Sequence, residues 1–234
     1  MGLAAVGVGL LIALTLTPSA RAQVAVNAMI TSNYQYRGVS LSGDRPALSV
    51  NLTYDHSSGA YGGVSAIGEA AAHTEPRWLG RQVYLGYAGR ASPGSSWDVG
   101  LSDTNVTQYA YRPYRVESEE IYAGWRSGDM RYYLYYSPHY FNTGLSTLYA
   151  DISGSIRPAN HLRAFGHIGV LTPLTTGEGG YRPGVQYDFS AGVAVALKKM
   201  EIQLAWTLRR PGGAIAYGPP QRRSRLALGA TYYF

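Results

Sequence analysis

The sequence predicts an all-β protein, a closed antiparallel transmembrane β-barrel of about twelve strands, and three observations carry that expectation. After residue 23, apolar and polar residues alternate with period 2, and no stretch sustains a 3.6-residue period. Short turns and long connections follow one another in regular alternation. The composition sets 29 glycines and 21 tyrosines against four phenylalanines and two lysines. Glycine weakens helices, and a buried tyrosine hydroxyl needs a partner. Barrel strands suit both residues, with aromatic rings at the membrane–water boundaries and glycines packed closely inside.

Residues 1–22 stand apart. Their apolar stretch, LAAVGVGLLIALTLT at 3–17, precedes Pro18 and the small-residue site Ala20-Arg21-Ala22. It is shorter than the ~20 residues a spanning helix needs, so it is read as a secretory signal cut before Gln23. Residues 23–234 then form the barrel. Export through the periplasm and assembly by the barrel-insertion machinery are the implied partners, with outer-membrane lipid as the final environment.

The strands follow in order. Residues 24–36 put Val24, Val26, Ala28, Ile30, Tyr34 and Tyr36 on one parity against Asn27, Thr31, Asn33 and Gln35. Residues 47–56 set Leu48, Val50, Leu52 and Tyr54 against Ser49, Asn51, Thr53 and Asp55. The segment 60–68 is strand-like with an ambiguous face. Val83, Leu85 and Tyr87 alternate with Gln82, Tyr84 and Gly86, and Trp97, Val99 and Leu101 with Asp98, Gly100 and Ser102. Ile121, Ala123 and Trp125 oppose Glu120, Tyr122, Gly124 and Arg126. Residues 130–137 again leave the face open. Leu148, Ala150, Ile152 and Ile156 oppose Tyr149, Asp151, Ser153 and Ser155. After a third ambiguous segment at 161–170, residues 189–197 and 200–208 carry Phe189, Val193, Val195, Ile202, Leu204 and Trp206 on their apolar faces. The final strand places Leu226, Leu228, Ala230, Tyr232 and Phe234 on one parity. Leu228, Ala230, Tyr232 and Phe234 are expected to form the C-terminal assembly signal.

Short turns are expected at 57–59, 91–95, 128–129, 157–160 and 198–199, and long connections at 37–46, 69–79, 105–117, 138–146, 171–185 and 209–222. Transmembrane barrels show this rhythm, with short periplasmic turns and longer outer loops. A soluble sandwich also alternates its residues but has no reason to alternate its connections.

The stretch 32-SNYQYRGVSLSGDRPALSVNLTYDHSSGAYGGVSA-66 resembles the start of the Gcw_chp or TorF-like family of porin-like outer-membrane proteins. Ser32, Tyr34, Arg37, Gly38, Ser40, Pro46, Ala47, Gly59, Tyr61 and Gly63 carry the likeness. It continues in 120-EIYAGW-125, 135-YYSPHYF-141, 148-LYADISGSI-156 and 167-HIG-169. The segments 109–115 and 209–222 depart from the pattern, which bears on loops more than on fold. The resemblance implies an outer-membrane barrel and leaves the substrate open.

Candidate lumen or pore-mouth residues follow from inward parity: Asp55, Asp98, Glu120, Arg126, Asp151, Asp188, Glu201, Arg223 and Arg225. Arg163 and His167 join them if Leu162 and Ile168 face lipid. Arg37 sits in the first long loop, where Gly38 lets the chain turn inward. Arg37 is expected either to form an anion-attracting mouth or to make a structural salt bridge with Asp44 or Asp55. Mixed charges of this kind line water-filled channels, so passive diffusion of small hydrophilic solutes or ions is the expected activity. The same charges, paired across the lumen, would give a non-conducting structural or receptor-like barrel.

A membrane hydrolase finds less support, because His56, His73, His139, His161 and His167 form no convincing nucleophile–base–orienter set. No enzyme activity, cofactor or metal is expected: the histidines lack ligand spacing and no phosphate loop precedes a helix. The formal charge of +6 is scattered along the chain and argues weakly for nucleic acid. With no cysteine in the chain, a disulfide framework is ruled out.

Overall fold

The computed structural model describes residues 23–70, 75–108, 114–177, 180, 183–210 and 223–234. The expected signal segment at 1–22 lies outside the described residues, as does most of the expected 209–222 loop. Strand β1 (Gln23–Thr31) is followed by two very short strands, β2 (Gln35–Tyr36) and β3 (Val39–Ser40). Then come β4 (Ala47–Asp55), β5 (Ala60–Glu69), β6 (Arg77–Ser92), β7 (Ser95–Gln108), β8 (Tyr114–Ser127) and β9 (Met130–Ser137). A single 3-10 turn at Tyr140–Asn142 leads to β10 (Thr147–Ala159), β11 (Leu162–Pro173), β12 (Gln186–Leu197), β13 (Met200–Arg210) and β14 (Ser224–Tyr233).

Twelve of these strands close into one antiparallel barrel, each beside its neighbour in sequence, while β2 and β3 form a separate hairpin between β1 and β4. The seam joins β1 to β14 from Asn27↔Tyr233 to Thr31↔Gly229. On its other edge, β1 pairs with β4 along its whole length, from Gln23↔Asp55 to Thr31↔Ala47. Closure satisfies backbone amides that would each cost several kcal/mol if left open in hydrocarbon.

The outer surface is apolar. Leu48, Val50 and Leu52 of β4 and Leu204 and Trp206 of β13 all point away from the barrel and are exposed. Aromatic rings gather at the short-turn end. Trp97 pairs across strands with Trp125, and Trp125 with Tyr132. Tyr54, Tyr87, Tyr232 and Phe234 extend this group around the rim. An apolar wall with an aromatic girdle is the surface a bilayer-spanning barrel requires. Among the described residues no helix is long and apolar enough to cross a membrane.

The three ambiguous faces are resolved. Tyr61, Ser65 and Glu69 of β5 point inward, as do Tyr133 and Tyr135 of β9 and Arg163 and His167 of β11.

Several expected boundaries move. The strand expected at 24–36 ends at Thr31, so that Tyr34 and Tyr36 leave its apolar face and are buried. Strand β13 runs to Arg210, through the start of the expected 209–222 loop. Strands β7 and β8 run past the expected 105–117 loop and pair as far as Gln108↔Tyr114. Cross-strand contacts between polar side chains, Arg81 with Asp103 and Asn105 with Glu117, hold this extension together. The turn expected at 157–160 narrows to 160–161, because β10 continues to Ala159 through a register shift after Ile156. Pro158 lies in that irregularity, where its missing amide costs no ladder bond.

Candidate functional site

Residues 32–46 leave the top of β1 and fold back into the barrel. Local polar chemistry shapes the segment before any contact with the wall. Ser40 Oγ donates to Asn33 Oδ1 (2.6 Å), and Asn33 Nδ2 donates to Asp44 Oδ1 (2.9 Å). The Asp44 amide donates to Ser40 Oγ (2.9 Å), and the Tyr34 amide to Ser42 Oγ (2.9 Å). Serine, asparagine and aspartate side chains commonly organise turns in this way.

The hairpin β2–β3 turns at Arg37 (φ 49) and Gly38 (φ 71), with Tyr36 opposite Val39. Positive φ at both central residues is the two-residue turn that matches strand twist. Glycine accepts this conformation freely, whereas for an arginine it costs roughly 1–2 kcal/mol. Gly38 is also required by space, since a Cβ there would lie 2.9 Å from Asp188 Cβ and 3.2 Å from Arg209 Cβ.

Arg37 reaches the far wall. Its Nη1 and Nη2 donate to Glu120 Oε1 (2.7 Å) and Oε2 (3.0 Å), a bidentate fork onto β8. The guanidinium carbon lies 4.0 Å from the Tyr149 ring centroid, 4.9 Å from Tyr36 and 5.2 Å from Tyr135. Gln186 Nε2 donates to the Arg37 carbonyl (3.3 Å). Only 3% of the Arg37 side chain and 1% of the Glu120 side chain are exposed. Burial works against the guanidinium charge, but the Glu120 carboxylate and the surrounding tyrosines hold its pKa well above the ordinary arginine value.

A tyrosine arc surrounds this contact. Tyr122, Tyr133, Tyr135 and Tyr149 pack in sequence on β8, β9 and β10, Tyr133 stacked on Tyr135 (5.8 Å) and the outer two rings tilted against them. Tyr36 meets Phe141 of the 3-10 turn at 5.6 Å. Inward glycines let these rings lie flat on the wall. A Cβ at Gly63, Gly86, Gly100, Gly124 or Gly169 would fall within 2.0–2.4 Å of Tyr84, Tyr61, Tyr122, Tyr133 or Tyr149 respectively.

Towards the short-turn end the interior changes character. Asp98 accepts from Tyr61 and, at 2.7 Å, from Tyr133. His167 faces Asp151 through Nδ1 (2.6 Å) and Asp188 through Nε2 (2.7 Å), an arrangement suited to a doubly protonated ring. Arg163 pairs with Glu201 (2.5 Å). Asp55, Asp98, Arg126 and Glu201 are half-buried here, in contrast to the sealed Arg37–Glu120 pair above.

Several sequence-predicted residues therefore meet, in groups that differ from the expectation. Arg37 does not pair with Asp44 or Asp55. Asp44 instead accepts from Arg225 Nε (2.5 Å), Asp55 stays on the wall at the end of β4, and Glu120 takes the arginine. The inward fold brings Arg37 within reach of β8, and loop length alone does not reveal that. Arg223 is exposed at the entrance to β14, and its carbonyl accepts from the Arg209 amide (2.7 Å). Arg126 turns back to the Gly128 carbonyl (3.2 Å).

Arg209 was missed: its side chain is inward, buried and bonded to Gln186 Oε1 (2.9 Å). The β13 parity of Glu201, Gln203, Ala205 and Thr207 extends to it, but residue 209 was assigned to the following loop. Of the C-terminal residues, Leu228, Tyr232 and Phe234 face outward and exposed, Ala230 is half-buried, and the Tyr232 and Phe234 rings meet edge-on at 5.0 Å. Among the described residues no cluster of histidine and carboxylate groups could hold a metal ion.

The closed sheet, apolar exterior and polar, aromatic interior define a bilayer-spanning β-barrel. The chain belongs to the Gcw_chp family, bacterial proteins of unknown function, whose sequence model matches residues 15–210. No curated protein matches it by sequence. Among solved structures it is similar to the KdgM porin, at 11% identity over 91% of this chain and 99% of that one, with a TM-score of 0.52. The same porin in complex with disordered oligogalacturonate gives 12% identity over 91% and 99%, with a TM-score of 0.51. The NanC porin gives 9% identity over 90% and 99%, also at 0.51. At these identities the likeness shows a shared fold.

Proposed function

We propose that the chain is an outer-membrane channel for passive diffusion of small hydrophilic solutes or ions, exported by its N-terminal signal and inserted through its C-terminal strand. One observation supports this reading: Asp55, Asp98, Arg126 and Glu201, which share the inward parity, stay partly exposed at the short-turn end of the closed sheet, where they would line a vestibule. The shared fold with porins is compatible with this role and leaves the solute open.

The observation favouring a non-conducting barrel is the buried hairpin above the vestibule. Conductance of the purified protein in a planar bilayer decides between the two. Discrete steps across a salt gradient are expected, and a folded, heat-modifiable barrel that never conducts would overturn the channel.

A further inference from the structure

We propose that the hairpin of residues 34–42 is a gate, shut in this structure, and that the Arg37–Glu120 pair is its latch. The proposal rests on the channel reading above and adds a closed state to it.

The hairpin belongs to no barrel strand. It forms its own two-stranded sheet and is continuous with the wall only at its two ends. Its shape is held internally by Asn33, Ser40, Ser42 and Asp44, so it keeps its fold when it moves. Its contacts span the lumen, from Thr207 on β13, whose hydroxyl donates to Gln35 Oε1 at 2.8 Å two strands from β1, through Gln186 on β12, to Glu120 on β8 across the barrel. These contacts are side-chain bonds, and breaking them disrupts no rung of the sheet.

Among them, the bidentate ion pair is the strongest, because it is charged, nearly dry and forked. The rest of the tip sits against surfaces it can leave. Gly38 abuts Asp188 and Arg209 without a side chain, and Tyr36 meets Phe141 edge-on. With the hairpin in place, Tyr36 and Val39 are each 1% exposed, and in the proposed gate they are the plug across the lumen. Displacement toward the long-connection end would unseal it.

The chain has no cysteine, so a single engineered pair tests the motion. In a Gln35→Cys, Thr207→Cys variant the two thiols would stand where Thr207 Oγ1 now donates to Gln35 Oε1 at 2.8 Å. That is within reach of a short bis-methanethiosulfonate, which forms a disulfide at each end. The bridged protein is the oxidised form and the dithiothreitol-treated protein the reduced form. Oxidised and reduced forms of the same refolded molecules are compared in planar bilayers. Oxidation is expected to cut the open probability at least tenfold, and dithiothreitol to restore it. In the cysteine-free chain Glu120→Gln is expected to raise open probability several-fold. Replacing residues 35–40 by a Gly-Ser linker is expected to leave the channel open, and Glu120→Gln should then add nothing.

Heat-modifiable migration confirms that each variant has folded. Equal conductance in the oxidised, reduced, Glu120→Gln and linker proteins would overturn the gate while keeping the channel. Silence in every folded variant, including the linker protein, would overturn the channel itself.

Discussion

Arg37 adopts a left-handed backbone conformation that disfavours side chains, and it is buried in a barrel interior where an unpaired charge would be costly. Both penalties are offset by one forked contact to Glu120 and a cage of tyrosine faces. Removing one member leaves the other uncompensated, so Arg37→Met should destabilise the folded barrel by roughly 3–5 kcal/mol. Urea unfolding followed by the heat-modifiable band measures this, and Arg37→Lys should recover only part of the loss because an ammonium cannot fork.

A second residue-scale test concerns the glycine beds. At Gly124 the three atoms nearest an added methyl all belong to the Tyr133 ring. Gly124→Ala should therefore cost about 1–3 kcal/mol by overpacking. Adding Tyr133→Ala should cost less than the two single changes summed. Strict additivity would show that the ring does not rest on the glycine.

At the scale of single strands, the two faces answer to different solvents. Leu204, Val195 and Val50 point outward, and arginine at any of them should cost roughly 2–4 kcal/mol near the bilayer midplane, measured as a lower yield of folded barrel. Strand β14 has a further task, because it closes the seam with β1 while pairing with β13. Deleting Phe234, or replacing Tyr232 by aspartate, should slow assembly without lowering the stability of whatever folds. Pulse-chase of the heat-modifiable band separates the two effects.

For the whole molecule, the proposed channel would have its vestibule and its gate in series along one path. Asp55 and Asp98 sit within the vestibule, so Asp55→Asn and Asp98→Asn should move the reversal potential toward anions. The shift should be largest at low salt, where the Debye length exceeds the pore dimension. An unchanged potential in both variants would place the selective ring elsewhere. Tags in 32–46, 138–146 and 174–185 should be accessible from one side of the membrane, and tags in the short turns from the other.

Residue alternation marked most faces, and the separate alternation of short and long connections pointed to closure and to about twelve strands. In β8, for example, Glu120, Tyr122, Gly124 and Arg126 share a parity that only a half-polar sheet explains. Period 2 is a local property, set by the pleat of each strand, and so it is written in neighbouring residues. The ambiguous segments β5 and β9 needed their partners, because tyrosines and glycines occupy the inward positions there and tyrosine fits either face. Strand ends beyond residue 105 were hidden for the same reason: Asn105 and Glu117 look like loop residues until they stand opposite each other.

The pairing of Arg37 with Glu120 spans 83 residues and the width of the barrel. Parity assigns a side chain to the inside, but it does not give its height or its angle around the axis. Those coordinates arise only when twelve strands close with a particular stagger. The inward path of residues 32–46 is likewise a tertiary decision. Their serines, asparagine and aspartate can shape a turn in either direction, and a far wall carrying one carboxylate, a tyrosine face and space above Asp188 selects the inward one.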